Sequence, residues 1–118
     1  MRMKLLFAAL LLTFGCGKKS TTVMASCNRP AKLCTDYYVQ VEAVIRSSCE
    51  DSHGGTWADG KACDRTGAVA GCQTTDSVQW WFKGPGETEQ SVKESLAKLC
   101  TPSKGDEGIV PTTWQRKP

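Results

Sequence analysis

Residues Pro30 to Ser48 read PAKLCTDYYVQVEAVIRSS, and the reading of this run decides the fold. Its apolar positions, Leu33, Tyr37, Tyr38, Val41, Val44 and Ile45, follow the i, i+3, i+4 spacing of one helical stripe. Asp36, Gln40, Glu42 and Arg46 fill the opposite side. The spacing predicts a helix from about Arg29 to Ser48, ending near Cys49.

Downstream, Thr56 to Cys63 carries Asp59-Gly60 between short flanks, the signature of a two-residue hairpin turn. Ala68 to Gln73 and Val78 to Lys83 are strand candidates joined through Thr74-Thr75-Asp76-Ser77. On the second strand Val78, Trp80 and Phe82 share one face, and Gln79, Trp81 and Lys83 the other. Gly84-Pro85-Gly86 stops it. A second helix is predicted from Thr88, an N-cap, to Leu99, with Val92, Leu96, Leu99 and Cys100 on its apolar face. Glu87 and Glu89 sit near its positive end and Lys98 near its negative one. Gly105 to Pro118 has no period and reads as an irregular tail. The expected fold class is therefore α+β, a small disulfide-stapled domain running helix, short antiparallel sheet of two to four strands, helix. A faint internal repeat accompanies it. Val41, Ile45 and Cys49 recur as Val92, Leu96 and Cys100, each copy ending a helix on a cysteine with a glycine turn soon after.

Upstream, Met1-Arg2-Met3-Lys4 precedes an apolar stretch, Leu5 to Phe14, interrupted only by Thr13. A basic n-region before such an h-region is a secretory signal. Ten residues rise only about 15 Å as a helix against roughly 30 Å of bilayer hydrocarbon, so the stretch is too short for a permanent span. Gly15-Cys16 at its end resembles the lipobox of bacterial lipoprotein signals, although Thr13 stands where that family prefers Leu. The resemblance implies cleavage after Gly15 and a diacylglyceryl thioether plus an amide-linked acyl chain, such as palmitate, on Cys16. Several chains on one cysteine, at about 0.8 kcal/mol per buried methylene, hold a protein on a bilayer durably. The alternative is ordinary cleavage after Ala25, where Val23-Met24-Ala25 loosely fits a small-x-small site. Gly17 is not the Asp that marks inner-membrane retention, so the resemblance favours the outer membrane over the inner one. The organisation expected is a signal peptide over 1–15, a polar tether over 16–26, a cysteine-rich domain over 27–104 and the tail over 105–118.

The chain carries 15 basic and 12 acidic residues, a formal charge of +3. Arg2 and Lys4 leave with the signal peptide, which brings the rest close to neutrality and leaves no basic footprint for nucleic acid. The chain has seven cysteines, so lipidation of Cys16 leaves six: Cys27, Cys34, Cys49, Cys63, Cys72 and Cys100. A small domain in an oxidising compartment uses such cysteines as bridges. Six cysteines allow many connectivities; Cys27 with Cys34, Cys49 with Cys63, and Cys72 with Cys100 is the set expected here, the last two stapling each helix end to the sheet. Zinc sites draw on close pairs of the C-x-x-C kind, and the chain has none, with His53 as its one histidine. No metal or cofactor is expected.

Cys49-x-x-x-x-Gly54-Gly55-Thr56-Trp57, Cys63, Gly71-Cys72, Trp80-Trp81-Phe82 and Cys100 together resemble a set of small cysteine-rich bacterial lipoproteins. The resemblance implies architecture and address, and no activity. Asp51-Ser52-His53 contains the residue types of a hydrolytic triad, but triad members meet through the fold and there is no G-x-S-x-G elbow. A hydrolase centred on His53 is the weakest alternative. The stronger one is a binding module for glycan, peptidoglycan or protein. Adjacent strand residues point to opposite faces, so helices covering one sheet face leave one of Trp80 and Trp81 outside. An exposed Trp81 beside Gln79 and Lys83 would stack on a sugar or take a partner's apolar side chain, unless the tail covers it through Trp114. The function expected is a non-enzymatic structural or interaction role on the envelope, with the bilayer as partner through acylated Cys16.

Overall fold

The computed structural model describes residues 22–30, 33–101 and 108–116. Among them the order is β1 (Ala25–Arg29), β2 (Leu33–Tyr37), α1 (Ala43–Ser47), a π-type turn over Ser48–Ser52, β3 (Thr56–Asp59), β4 (Ala68–Gln73), β5 (Ser77–Phe82), α2 (Glu89–Leu99) and β6 (Gly108–Val110). The six strands form one antiparallel sheet in the order β3-β1-β2-β5-β4-β6. The fold is α+β and disulfide-stapled, but it opens on a hairpin and has more strands than the two to four expected.

The long first helix is not formed. Its first half is β2, and only Ala43–Ser47 is α-helical. Leu33 and Tyr37, four apart, fall on one side of a strand as readily as on one side of a helix, so they do not separate the two periods. Both faces of β2 are covered, which hides the alternation: Cys34, Thr35 and Asp36 are all buried. Within β2, Thr35 and Tyr37 are residue types that suit a pleated strand.

Three further expectations change. Asp59-Gly60 ends β3 instead of turning a hairpin: Gly60, at φ +67°, donates to the Met24 carbonyl, and β3 pairs with β1. The tail contributes β6, which pairs with β4. The tether loses its last residues to the fold, since Val23 packs on the core, the Met24 amide donates to the Tyr37 carbonyl and β1 starts at Ala25.

The two halves, β1-β2-α1-β3 and β4-β5-α2-β6, share one topology and lie about an approximate twofold axis between β2 and β5. In the register Thr35 stands opposite Gln79, with Cys27 beside Thr35 and Cys72 beside Gln79. The axis through that pair therefore matches Cys27 with Cys72, Ala25 with Ala70, Tyr37 with Trp81, Asp36 with Trp80, and Trp57 with Ile109. Disulfides Cys27–Cys49 and Cys72–Cys100 obey the same relation, so Cys49 and Cys100 hold equivalent places.

Cys34–Cys63 is the third bridge. The expected Cys27–Cys34 and Cys49–Cys63 pairs are replaced, and the register gives the reason. Cys34 is opposite Asn28, not Cys27, so the two thiols leave opposite faces of the sheet. Each observed bridge closes a loop of 22 to 29 residues. Loops of that size are worth about 3–4 kcal/mol apiece in the chain-entropy account.

One sheet face carries the helices. Its second half packs Val92 and Leu96 of α2 on Ala70 and Cys100, with Val69, Cys72 and Trp81 alongside. Helix α2 starts where expected: Thr88 accepts from the Ser91 amide at 3.0 Å, while Ser91 Oγ accepts from the Thr88 amide at 2.9 Å. The opposite face is covered by residues 60–67 and 110–116. Cys34, Tyr38, Cys63, Val78, Trp80 and Val110 form its core, with Trp114 packed against it. Gly71 lets the Trp80 indole lie down there, because a Cβ at that position would stand 2.8 Å from the ring.

Candidate functional site

The residues expected at a ligand site fall on the helix face. Gln79 occupies the middle of the sheet between Thr35 and Cys72, and Trp81 is half-buried against the α2 cluster. Lys83 is exposed just beyond β5. Trp81 is thus not the free indole the alternation suggested, and its cover is α2 rather than the tail. Trp114 instead packs edge-on to Tyr38 at 6.1 Å on the other face.

His53 follows the π-type turn and is exposed, its amide donating to the Ser48 carbonyl at 3.2 Å. Asp51 and Ser52 are exposed in the turn itself, and no side-chain hydrogen bond joins the three among the described residues. No group of three or more His, Cys, Asp or Glu side chains able to hold a metal occurs among the described residues. Cys16 and residues 1–15 lie outside the described residues.

The side chains that do converge lie beside β1. Met24 and Ala25, Trp57 and Asp59 of β3, residues 40–43 and Arg46 line a groove of about 390 Å³. The β-sheet register builds its floor. Ala25 pairs with Tyr37 on one side and Asp59 on the other, and Cys27 pairs with Trp57. The small side chain of Ala25 lets Tyr37 and Trp57 approach across β1, their ring centroids 5.5 Å apart at 34°. Trp57 and Asp59, two apart on one strand, share a face, and the indole N–H donates to Asp59 Oδ1 at 2.9 Å. That bond fixes the ring edge.

The rim is charged. Arg46 Nε donates to Glu50 Oε1 at 3.0 Å, and its Nη1 lies 3.6 Å from Asp59 Oδ2. These groups are about half exposed or more, so each pair stabilises the fold by less than about 1 kcal/mol. Glu42, the N-cap residue of α1, makes no side-chain cap bond and has no ion-pair partner among the described residues. Arg46 is therefore occupied, and the carboxylates of Glu42, Glu50 and Asp59 outnumber it.

The opposite face has a polar centre that the sequence reading missed. Asp36 is fully buried and accepts from the Cys63 amide at 2.7 Å and from Trp80 Nε1 at 2.9 Å. Burial raises its carboxyl above the ordinary value, opposed by those two bonds and by Arg65. Arg65 lies 4.1 Å above the Trp80 ring and donates to the carbonyls of Thr112 and Trp114, which ties the tail down. Both Asp36 oxygens and the Trp80 indole N–H are engaged within the fold, which makes the cluster architecture. The groove on the helix face, by contrast, is open to solvent. Trp57 could have been found from the sequence as the end of Gly54-Gly55-Thr56-Trp57; Arg46 and Asp59 carry no such signal, because only the pairing of β3 with β1 brings them together. No protein-family model, curated protein or solved structure matches this chain.

Proposed function

We propose that the chain is a lipid-anchored protein of the bacterial envelope, held by acylated Cys16, whose domain has a non-enzymatic interaction role and takes its partner in the groove beside Trp57. The observation that carries the interaction role is the groove itself, an apolar floor with a charged rim about 390 Å³ in volume. That size falls within the roughly 300–1,000 Å³ of ligand sites.

Two features support the anchor. The six cysteines after Cys16 are all bridged, which leaves Cys16 as the odd thiol of a secreted chain. Cleavage after Ala25 would remove Val23, Met24 and Ala25, a core contact, a backbone bond to Tyr37 and the first residue of β1. Among the described residues no helix is long and apolar enough to cross a membrane, so the acyl chains are the attachment this reading relies on. Gly17 favours the outer membrane where the cell has one.

The test is an intact mass of protein made from the full-length gene in a bacterial host, extracted from membranes and alkylated without reduction. A mass that starts at Cys16, includes acyl chains and shows no alkylated thiol is the expected result. A mass starting at Ser26 without lipid, or free thiols on the lipidated form, would overturn it.

A further inference from the structure

The sheet register gathers unpaired polar groups on the middle of the helix face. Helix α2 packs on β4, and the π-type turn packs on β1 and β3, so β2 and β5 run between them. Along that strip one row pairs Arg29 with Leu33 and Leu33 with Trp81, and the next pairs Cys27 with Thr35 and Thr35 with Gln79. Alternation puts all six on the helix side. Thr35 is 2% exposed, and its hydroxyl has no hydrogen-bond partner. Arg29 Nε and Trp81 Nε1 are likewise buried without an acceptor. Native folds pair nearly all such atoms, because an unmade bond leaves the cost of desolvation without return. The strip is still reached from solvent: Arg29, Gln79 and Trp81 are each partly exposed, and Lys83, two residues past Trp81, is exposed. Neither Arg29 nor Lys83 has an ion pair among the described residues. Burial raises the Tyr37 phenol above its ordinary value and the charge of Arg29 opposes that, although the Cys27–Thr35 row lies between the two residues. The guanidinium charge therefore reaches across Thr35.

We infer that this strip binds an oxyanion, a carboxylate or phosphate group, on the Arg29 guanidinium, with the Thr35 hydroxyl, the Gln79 amide and the Trp81 indole N–H as further donors. The excess of donors carries the assignment. Arg29 Nε and Trp81 Nε1 can only donate, and Lys83 adds a second positive charge. Asp59, the one carboxylate that the described strands place on this face, is already engaged by Trp57 and Arg46. A negatively charged group rich in acceptors is the complement, and arginine meets such groups with two parallel bonds. The buried atoms are reached when Arg29 and Gln79, both long and partly exposed, take new rotamers around the anion. This site stands apart from the groove beside Trp57 and does not depend on it.

Arginine modification tests the site residue by residue. Protein made from the full-length gene in a bacterial host and purified in dodecyl maltoside is treated with phenylglyoxal, and adducts at Arg29 and Arg46 are followed by mass after digestion. Arg46, held by Glu50 and Asp59, is the internal reference. At an ionic strength matched with chloride, inorganic phosphate or acetate should slow modification of Arg29 about five-fold once the anion exceeds its dissociation constant about four-fold, and should leave Arg46 unchanged. Thr35→Val keeps the shape and removes the hydroxyl. It should weaken the protection several-fold without lowering thermal stability, since that hydroxyl has no partner inside the fold. Gln79→Ala, at a partly exposed position, should weaken it as well. Stronger protection by phosphatidylglycerol vesicles than by phosphatidylcholine ones would identify the anion as a lipid headgroup, and equal protection by the two would identify a soluble one; both keep the site. Equal slowing of Arg29 and Arg46 would reduce the effect to screening and overturn the proposal. An Arg29 that fails to react in chloride alone is sealed against any ligand and would overturn it too, as would undiminished protection in both variants or no protection by any anion.

Discussion

Trp80 donates its indole N–H to the buried carboxylate of Asp36, and the two residues occupy matching places in the two halves of the sheet. The approximate symmetry is thus broken at its centre by a donor on one side and an acceptor on the other. Cys63, drawn over the same spot by its bridge to Cys34, supplies the second donor.

Stability should depend on the protonation of Asp36. Burial raises its carboxyl in the folded state, so the folded chain takes up this proton before the unfolded chain does. The contribution is unfavourable at neutral pH and is relieved as pH falls through the raised value towards the unfolded one, near 3.8. Asp36→Asn removes that gain and leaves one donor facing an amide N–H₂, at a cost of about 1–3 kcal/mol. Denaturant unfolding between pH 7 and about 4 should show wild type gaining on the variant as acid is added; a gap that narrows would refute the assignment.

The halves should respond unequally to matching truncations. Leu96→Ala opens a cavity under α2 and should cost about 2–5 kcal/mol. Ile45→Ala, at the matching place, should stay within about 0.5 kcal/mol. Equal losses in thermal unfolding would mean that the first half has a packed core after all.

Gly71→Ala puts a methyl within 2.8 Å of both the Trp80 ring and Val78. Neither neighbour can yield, since both are completely buried. Overpacking of this kind costs about 1–3 kcal/mol, and the shift should appear in the near-ultraviolet circular dichroism of the displaced indole. Gly67→Ala meets open space but carries the strain of a φ of +81°, so it is strained without being crowded, and a displaced indole seen only in Gly71→Ala reports crowding. A Gly71→Ala variant with native spectrum and stability would show that the indole does not lie against the strand.

Non-reducing digestion should yield peptides joined through Cys27–Cys49, Cys34–Cys63 and Cys72–Cys100. A Cys27–Cys34 link would require those two residues on one sheet face and so would contradict the β1–β2 register.

Local signals explain which elements were legible. Strand β4 and helix α2 were readable because each declares itself locally, the first through small apolar residues bounded by turns, the second through Thr88 and a stripe ending at Cys100. The Val-x-x-x-Ile and Val-x-x-x-Leu repeat before two cysteines pointed to equivalent places, and the disulfides put them there. Strand β2 was illegible because cover on both faces erases its alternation, and because its buried Asp36 looks like a solvent-facing residue until its two donors are known. Trp81 misled for a related reason: alternation says that Trp80 and Trp81 face opposite ways, but not that both faces are roofed. The groove was beyond reach, since its two walls meet only when β3 returns to pair with β1.

The fold already holds Val23, and that sets how far the domain can travel. If Cys16 is fixed in lipid, seven residue spacings separate it from Val23, an upper limit of about 25 Å of chain. Under the proposed anchor, a molecule held within that distance would patrol a thin layer above its own membrane and would not fish in the space beyond. Whatever settles beside Trp57 has to arrive at that surface, which makes co-resident membrane proteins the first place to search.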